Sequence, residues 1–319
     1  MAALKDKITN ALNEARILIL GAHVLLGFQF RSVFEQGFES LPEHTKSLKL
    51  AALALMIIAV ALLMTPSAYH RIANEGEDTK DMHSITSVFI TLALMPFALG
   101  LGIDFFVATE KLFGTAIGAM SGVAASLVAL FFWYGLELFA KGKPARKGEQ
   151  SMSKKEQAST GTRLKDKIKH VLTEARTVLP GAQALLGFQF ATMLVESFDK
   201  LPDSSKYIHL ASLALVALST VLLMTPAAYH RIVEEGEDTK HFHNFSSRVL
   251  LAAMIPLALG ICGDFFVVAR KISDSVSFSL IASIVLMAIF FGLWFGFTAY
   301  RREQREEILE RHRRQEAAD

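Results

Sequence analysis

The sequence predicts an all-α membrane protein of about eight transmembrane helices, built as two parallel four-helix repeats. Three observations carry that expectation. The first is composition: the chain of 319 residues is 52% hydrophobic. Its apolar residues gather into blocks of roughly twenty, the length that crosses ~30 Å of hydrocarbon at ~1.5 Å per residue. A soluble core would leave such blocks no polar face for water.

The second observation is a repeat at a spacing of 160 residues. LKDKI at Leu4–Ile8 recurs at Leu164–Ile168, and LLGFQF at Leu25–Phe30 recurs at Leu185–Phe190. AYHRI at Ala68–Ile72, EGEDTK at Glu75–Lys80 and DFFV at Asp104–Val107 recur in the same way, with no insertion or deletion. A period this long marks a duplicated unit. The third observation is the polar, Lys- and Arg-rich stretch between the copies, which has no core-forming residues and reads as a flexible tether.

Within the first copy four spans are expected: Ile17–Phe34, Leu48–Ala68, Ile85–Ala108 and Phe113–Ala140. The second copy gives Thr177–Val195, Ile208–Ala228, Val249–Ala269 and Phe278–Tyr300. The units then run from 1 to 140 and from 164 to 300, joined by a basic linker at 141–163 and followed by a charged helical tail at 301–319. An even number of spans per unit gives both copies the same orientation, unlike the inverted repeats of many secondary transporters. The excess of Lys and Arg in the linker and tail puts them, and both termini, on the cytoplasmic side of a plasma (inner) membrane. The opening MAALKDKITNALNEAR lacks a short apolar core and a small-residue cleavage site, so the first block is expected to remain in the mature protein.

Each unit opens on an amphipathic segment, with Leu4, Ile8, Leu12 and Ala15 three or four residues apart in the first. It reads either as a helix lying in the inner leaflet or as an extension of the first span.

The repeated polar residues fall into two layers. The inner layer holds Glu14, Arg16, Tyr69, His70, Arg71 and His83, matched by Glu174, Arg176, Tyr229, His230, Arg231 and His243. The outer layer holds Gln29 and Asp104, matched by Gln189 and Asp264. Between the layers the spans read as almost wholly apolar.

An ionisable group such as Asp104 at membrane depth usually faces a cavity or a partner. It reads as an ion- or proton-handling carboxylate with Gln29 beside it, or as an interfacial carboxylate flanked by Phe105 and Phe106. Glu14, Arg16 and Arg71 suggest an ion-pair network between the first and second helices, since charges at the edge of low dielectric need partners. The inner histidines and carboxylates are a legitimate ligand set for a divalent metal, or for a bis-histidine haem, but have no recognised ligand spacing. Any cofactor therefore stays unknown at this point. Pro66 and Pro96, with Pro226 and Pro256, are expected to kink or end helices locally, and Gly114–Gly118 to permit close helix contact.

No phosphate loop, dinucleotide fingerprint, nucleophile elbow or HExxH zinc site is present, so no enzyme class is indicated. The net charge of +2 gives no nucleic-acid footprint. Cys262 stands alone, which excludes an intrachain disulfide.

The pattern Asn-Glu-Ala-Arg, then Gly and a GFQF run, then Thr-Pro-x-Ala-Tyr-His-Arg resembles an uncharacterised bacterial integral membrane family, a domain of unknown function. The residues that carry the resemblance are Glu14, Arg16, Gly21, Gln29, Pro66, Tyr69, His70 and Arg71, and their partners 160 residues on. The resemblance implies the four-helix unit and no reaction; members commonly hold one unit, whereas this chain holds two. Three functions stay open: a channel or proton/cation-coupled transporter, a scaffold or sensor recruiting a cytoplasmic partner, and a haem or metal protein of the inner histidines. The expected partners are the bilayer, anionic lipids at the basic linker, and a second copy or a cytoplasmic protein.

Overall fold

The computed structural model describes residues 2–77, 79–135, 164–232 and 239–316. All regular structure among them is helical. The first copy comprises α1 (Ala2–Ser32), the short α2 (Gln36–Glu39), α3 (Glu43–Ile72), α4 (Lys80–Phe113) and α5 (Thr115–Leu130), which runs on into a π turn, Phe131–Gly135. The second comprises α6 (Leu164–Met193), α7 (Glu196–Asp199), α8 (Asp203–Ile232), α9 (Lys240–Ser273) and α10 (Val276–Phe291), with its π turn Gly292–Phe297 leading into α11 (Thr298–Glu316). The linker lies outside the described residues.

Five helices are long and apolar enough to cross a membrane, over Glu43–Ile72, Asp81–Phe113, Asp203–Ala227, Lys240–Ser273 and Val276–Ile308. The protein is a membrane protein by that measure.

The repeated motifs have local structural causes. In EGEDTK, the threonine is a helix cap: Met82 N donates to Thr79 Oγ1 (3.1 Å) at the start of α4, and Phe242 N to Thr239 Oγ1 (3.0 Å) at the start of α9. Such a cap satisfies an otherwise orphaned donor and contributes about 1 kcal/mol. The turn after α3 puts Gly76 at φ 78 and closes it with Gly76 N donating to His70 O (3.0 Å). α4 and α5 are separated at Gly114, φ 84, a conformation a side chain disfavours. The helix expected from Phe113 thus begins at Thr115, and Gly114 is a turn residue; only Gly118 of that pair packs, against Glu110.

Pro66, Pro96, Pro226 and Pro256 all lie inside helices and end none of them. α3 continues past Pro66 to Ile72, and α4 past Pro96 to Phe113. The amphipathic opening of the first copy belongs to one unbroken helix, Ala2–Ser32, and so extends it.

The two copies bury matching helices unequally. The apolar stretch of α3 is 67% buried, but that of its counterpart α8 is 39%; α4 is 28% buried and α9 is 72%. The reason is how the copies meet: α1 lies along α6, while α3 is covered by α9, α10, the second π turn and α11. Trp294, in that π turn, is fully buried and donates from Nε1 to Ala61 O (2.9 Å) on α3. At the other end Ser197 donates to Phe34 O, and Lys271 bonds Glu39 (2.8 Å) and holds its carboxyl below the usual range.

Small residues set the closest approaches. A Cβ at Gly102 would lie 1.9 Å from Ser126 Oγ and 2.7 Å from Gly122 O, so α4 and α5 touch backbone to backbone there. Gly21, by contrast, has nothing within 4 Å of its ideal Cβ. Gly102→Val is expected to lower stability by about 1–3 kcal/mol through overpacking, whereas Gly21→Ala should be neutral or slightly stabilising. Thermal unfolding of the two purified variants in detergent checks this.

Candidate functional site

Ionisable side chains are buried at three levels along the seam between the copies. The linker-end level is built around Glu174 of α6. Its carboxylate takes a fork from Arg71 at the end of α3, with Nε donating to Oε2 and Nη2 to Oε1, both at 2.7 Å. His70 Nδ1 lies 2.6 Å from the same Oε1. A carboxylate only accepts, so Nδ1 is assigned the proton. The side chains of all three are fully buried. Arg71 Nη1 donates to Ser247 Oγ (3.3 Å) and lies 3.5 Å from His243 Nε2, both on α9, and the His170 ring meets His70 edge-on at 5.6 Å.

This arrangement joins first-copy cations to a second-copy anion. The sequence groups Glu14 and Arg16 with Arg71; among the described side chains the acid that Arg71 meets is Glu174, and Arg16 is exposed. The side chains of Glu14, His230 and Arg231 lie outside the described residues. Arg176 is exposed, and His83 is partly buried in α4. Tyr69 packs on Phe297 (6.2 Å), and Tyr229 against Phe245 (4.3 Å) and His241. Of the inner-layer candidates, His70, Arg71, Glu174 and His243 therefore come together. Among the described residues, no group of three or more His, Cys, Asp or Glu side chains is placed to hold a metal ion.

The level at the opposite end occurs twice. In the first copy, Gln29 Nε2 donates to Asp104 Oδ2 (2.7 Å) and Lys49 Nζ to Oδ1 (2.5 Å). In the second, Gln189 Nε2 donates to Asp264 Oδ2 (2.5 Å), and His209 Nδ1 lies 2.8 Å from Oδ1. His209 Nε2 faces Gln189 O at 3.2 Å. Both ring nitrogens thus meet acceptors, which only the doubly protonated ring satisfies. Beside this triad lies a cavity of about 10 Å³, lined by Gln189, His209, Asp264, Thr192, Phe30 and Phe34, room for about one water. Nearby, Glu110 accepts from Thr45 and Thr115 (2.8 Å) and meets His44 at 2.9 Å. At the matching place in the second copy Arg270 donates to Ser204 (2.6 Å) and Ser205 (3.3 Å), so the charge reverses while the hydroxyl partner at the second position stays.

Lys49 and His209 occupy matching positions but differ between copies, so identity across the repeat does not single them out. Position-by-position comparison of charge, rather than identity, would have found a base at both.

The middle level is His23 of α1, fully buried. Its Nδ1 meets Ile19 O at 2.9 Å, so Nδ1 carries the proton and Nε2 keeps a lone pair with no hydrogen-bond partner. The ring rests on α6, where a Cβ at Gly181 would lie 2.7 Å from it. The contact between α1 and α6 is therefore less uniformly apolar than the sequence suggests. The second copy has Gln183 at this position, exposed.

With this geometry in place, comparison with known proteins gives one match. The family of unknown function DUF6328 matches residues 4–137 and again 157–298. The chain belongs to that family, as two tandem copies. No curated protein and no solved structure matches it.

Within this DUF6328 protein the Glu174 bond carries a definite energetic weight. Removing one partner leaves a buried charge without compensation, which costs about 3–5 kcal/mol. Glu174→Ala and Arg71→Ala are each expected to destabilise by that order, and the double variant Glu174→Leu/Arg71→Met by much less. Thermal unfolding in detergent of the three variants measures the difference.

Proposed function

We propose that the chain is an eight-span membrane protein that moves protons, alone or coupled to a cation, along the seam between its two repeats. Three spans join the five apolar helices: α1, α6, and α5 continued through its π turn. The last, Thr115 to Gly135, is long enough for ~30 Å. The even count brings both termini and the linker to one side, and the basic linker makes that side cytoplasmic.

The observation that carries the transport reading is His23. A buried imidazole with a free lone pair stands between a Glu–His–Arg level and an Asp–His–Gln level. Gly181, on which it rests, is seven residues along α6 from Glu174 and eight from Gln189, or roughly 10–12 Å each way. Chains of Asp, Glu and His at membrane depth are the groups through which pumps and transporters relay protons. At these separations a relay needs water between the levels; the water-sized cavity beside Asp264 supplies such a place at one of them.

A second reading, recruitment of a cytoplasmic partner, is favoured by a different feature. A polar cleft of about 370 Å³ lies between the loop after α3 and α11, lined by Asn74, Glu75, Glu77, Arg302, Arg305 and Glu306. Arg305 donates to Ala73 O (3.0 Å) and Arg302 bonds Glu75 (3.0 Å), so the charged tail is held beside the loop.

Liposomes carrying the purified protein and a pH-sensitive dye test the transport reading. Under an imposed potential, wild-type protein should pass protons well above empty vesicles, and His23→Leu and Asp264→Asn should each lower the rate at least tenfold. Flux no greater than in empty vesicles, with H⁺, Na⁺ and K⁺ each offered, would sink it and leave the recruitment reading standing.

A further inference from the structure

The contact between the two copies is head-to-tail. The first copy presents α1 and α3; the second receives them with α6, α9 and α10. Two copies related by a two-fold axis would also pair α8 with α4, and α8 would be as buried as α3. Instead the principal contacts of α8 are with α6 and α9 of its own copy, and Leu218, Val221 and Met224 along it are exposed. On the first copy, α4 and α5 are left in the same condition, with Met95, Met120 and Leu127 exposed. A heterologous contact of this kind uses different surfaces on its two sides and leaves one of each unused.

The unused surfaces keep the parts that the used ones interlock. At the seam, the Phe188 ring fills the notch of Gly27, where a Cβ would lie 2.1 Å from it. The complementary notch, Gly187, has nothing within 4 Å, and the complementary knob, Phe28, packs one side on Phe188 (ring centroids 4.5 Å) and stays 56% exposed. The same holds for the second glycine contact: Gly181 is covered by His23, while Gly21 is open and Gln183, at the position of His23, is exposed. At the margin Lys271 of α9 bonds Glu39 of α2 (2.8 Å). Its counterparts, Lys111 at the end of α4 and Asp199 in α7, are both exposed. The sequence extends the pattern, since Glu14 and His230–Arg231 repeat Glu174 and His70–Arg71.

We propose that a second copy of this chain docks on the α6–α8 face with its own α1, α4 and α5, repeating between chains the head-to-tail contact made within one. Lipid would cover the apolar helices as well as protein does. It offers no ring for an open glycine notch and no specific partner for the Asp199 carboxylate. A knob, a notch and a complementary charge pair held in the register of an existing interface specify another copy of the same chain. Successive docking closes a ring of repeats or extends as a row, according to the rotation per step.

Cysteine crosslinking in native membranes, with mass measurement of the purified protein in mild detergent, tests this. The native Cys262 is buried and can stay in place. Gly27→Cys/Phe188→Cys should close within one chain without changing its mass. Phe28→Cys/Gly187→Cys should join chains, giving a dimer band and higher bands that each single variant lacks. Wild-type protein should run at two or more chains, Asp199→Lys should lower that fraction severalfold, and adding Lys111→Glu should restore it. A monomeric mass with no interchain band, while the control pair closes, overturns the proposal. So does a strong band from either single cysteine, which would mean a two-fold contact. If the control pair fails to close, the contact being copied is absent and the proposal falls with it. None of these readings depends on proton flux.

Discussion

Glu174 sits on a helix where no water reaches its carboxylate, and that burial dictates much of what surrounds it. An ionised carboxylate in low dielectric must be paired and fully hydrogen-bonded, or it neutralises or unfolds the site. Here the solution is a guanidinium fork and an imidazole from adjacent residues, Arg71 and His70, at the last turn of α3. Bidentate geometry fixes angle as well as distance. α3 and α6 are therefore locked in register at one end, although they belong to different copies. The bond then asks for cover: α9 supplies Ser247 and His243 beside Arg71, and α10 with its π turn shields the rest of α3.

From that lock follows the inequality between two units that share their motifs. Once α3 meets α6 and α9, its counterpart α8 cannot meet the first copy in the same way without a two-fold axis that the contact lacks. Identical motifs then live in different surroundings. Ala61 receives the Trp294 indole N–H, and Val221, one repeat later, is open. Side chains have diverged where surroundings differ. The base beside the Gln–Asp pair is lysine in the partly exposed first copy and histidine in the buried second copy, where an ammonium would be harder to desolvate. The carboxylate at Glu110 is replaced by Arg270, and Ser204 and Ser205 take the places of His44 and Thr45.

How much of this was legible in the sequence depends on the range of the interaction. Helix starts at Thr79 and Thr239 and the break at Gly114 are local, set by a side-chain cap or a backbone conformation. The capping threonine lay inside a repeated motif even though its role had gone unread. Of the two outcomes expected at proline, a kink or an end, the end does not occur: at Pro66 and Pro96 packing on neighbouring helices outweighs the one hydrogen bond lost, and both helices continue. The buried levels were harder to read. Repetition picks out which residues recur but is blind to which copy supplies the partner, so Arg71 was matched with Glu14. It is blind as well to a residue that occurs once, and His23 is such a residue.

His23 also marks where the two kinds of information part company. Its ring is accommodated because Gly181 has no side chain, and that glycine recurs as Gly21 while the histidine does not. The notch is thus a property of the repeated scaffold, and the imidazole an addition to one copy. A buried ring nitrogen without a hydrogen-bond partner costs about 1–3 kcal/mol relative to a satisfied one. Glutamine, the residue at the matching position of the second copy, has no basic ring nitrogen; histidine has one. Placing such a group on the seam, where both copies contact it, gives the interface between repeats a basic ring nitrogen that one copy carries and the other copy seats. Two identical units could not maintain that distinction; it depends on the two copies having diverged within one chain.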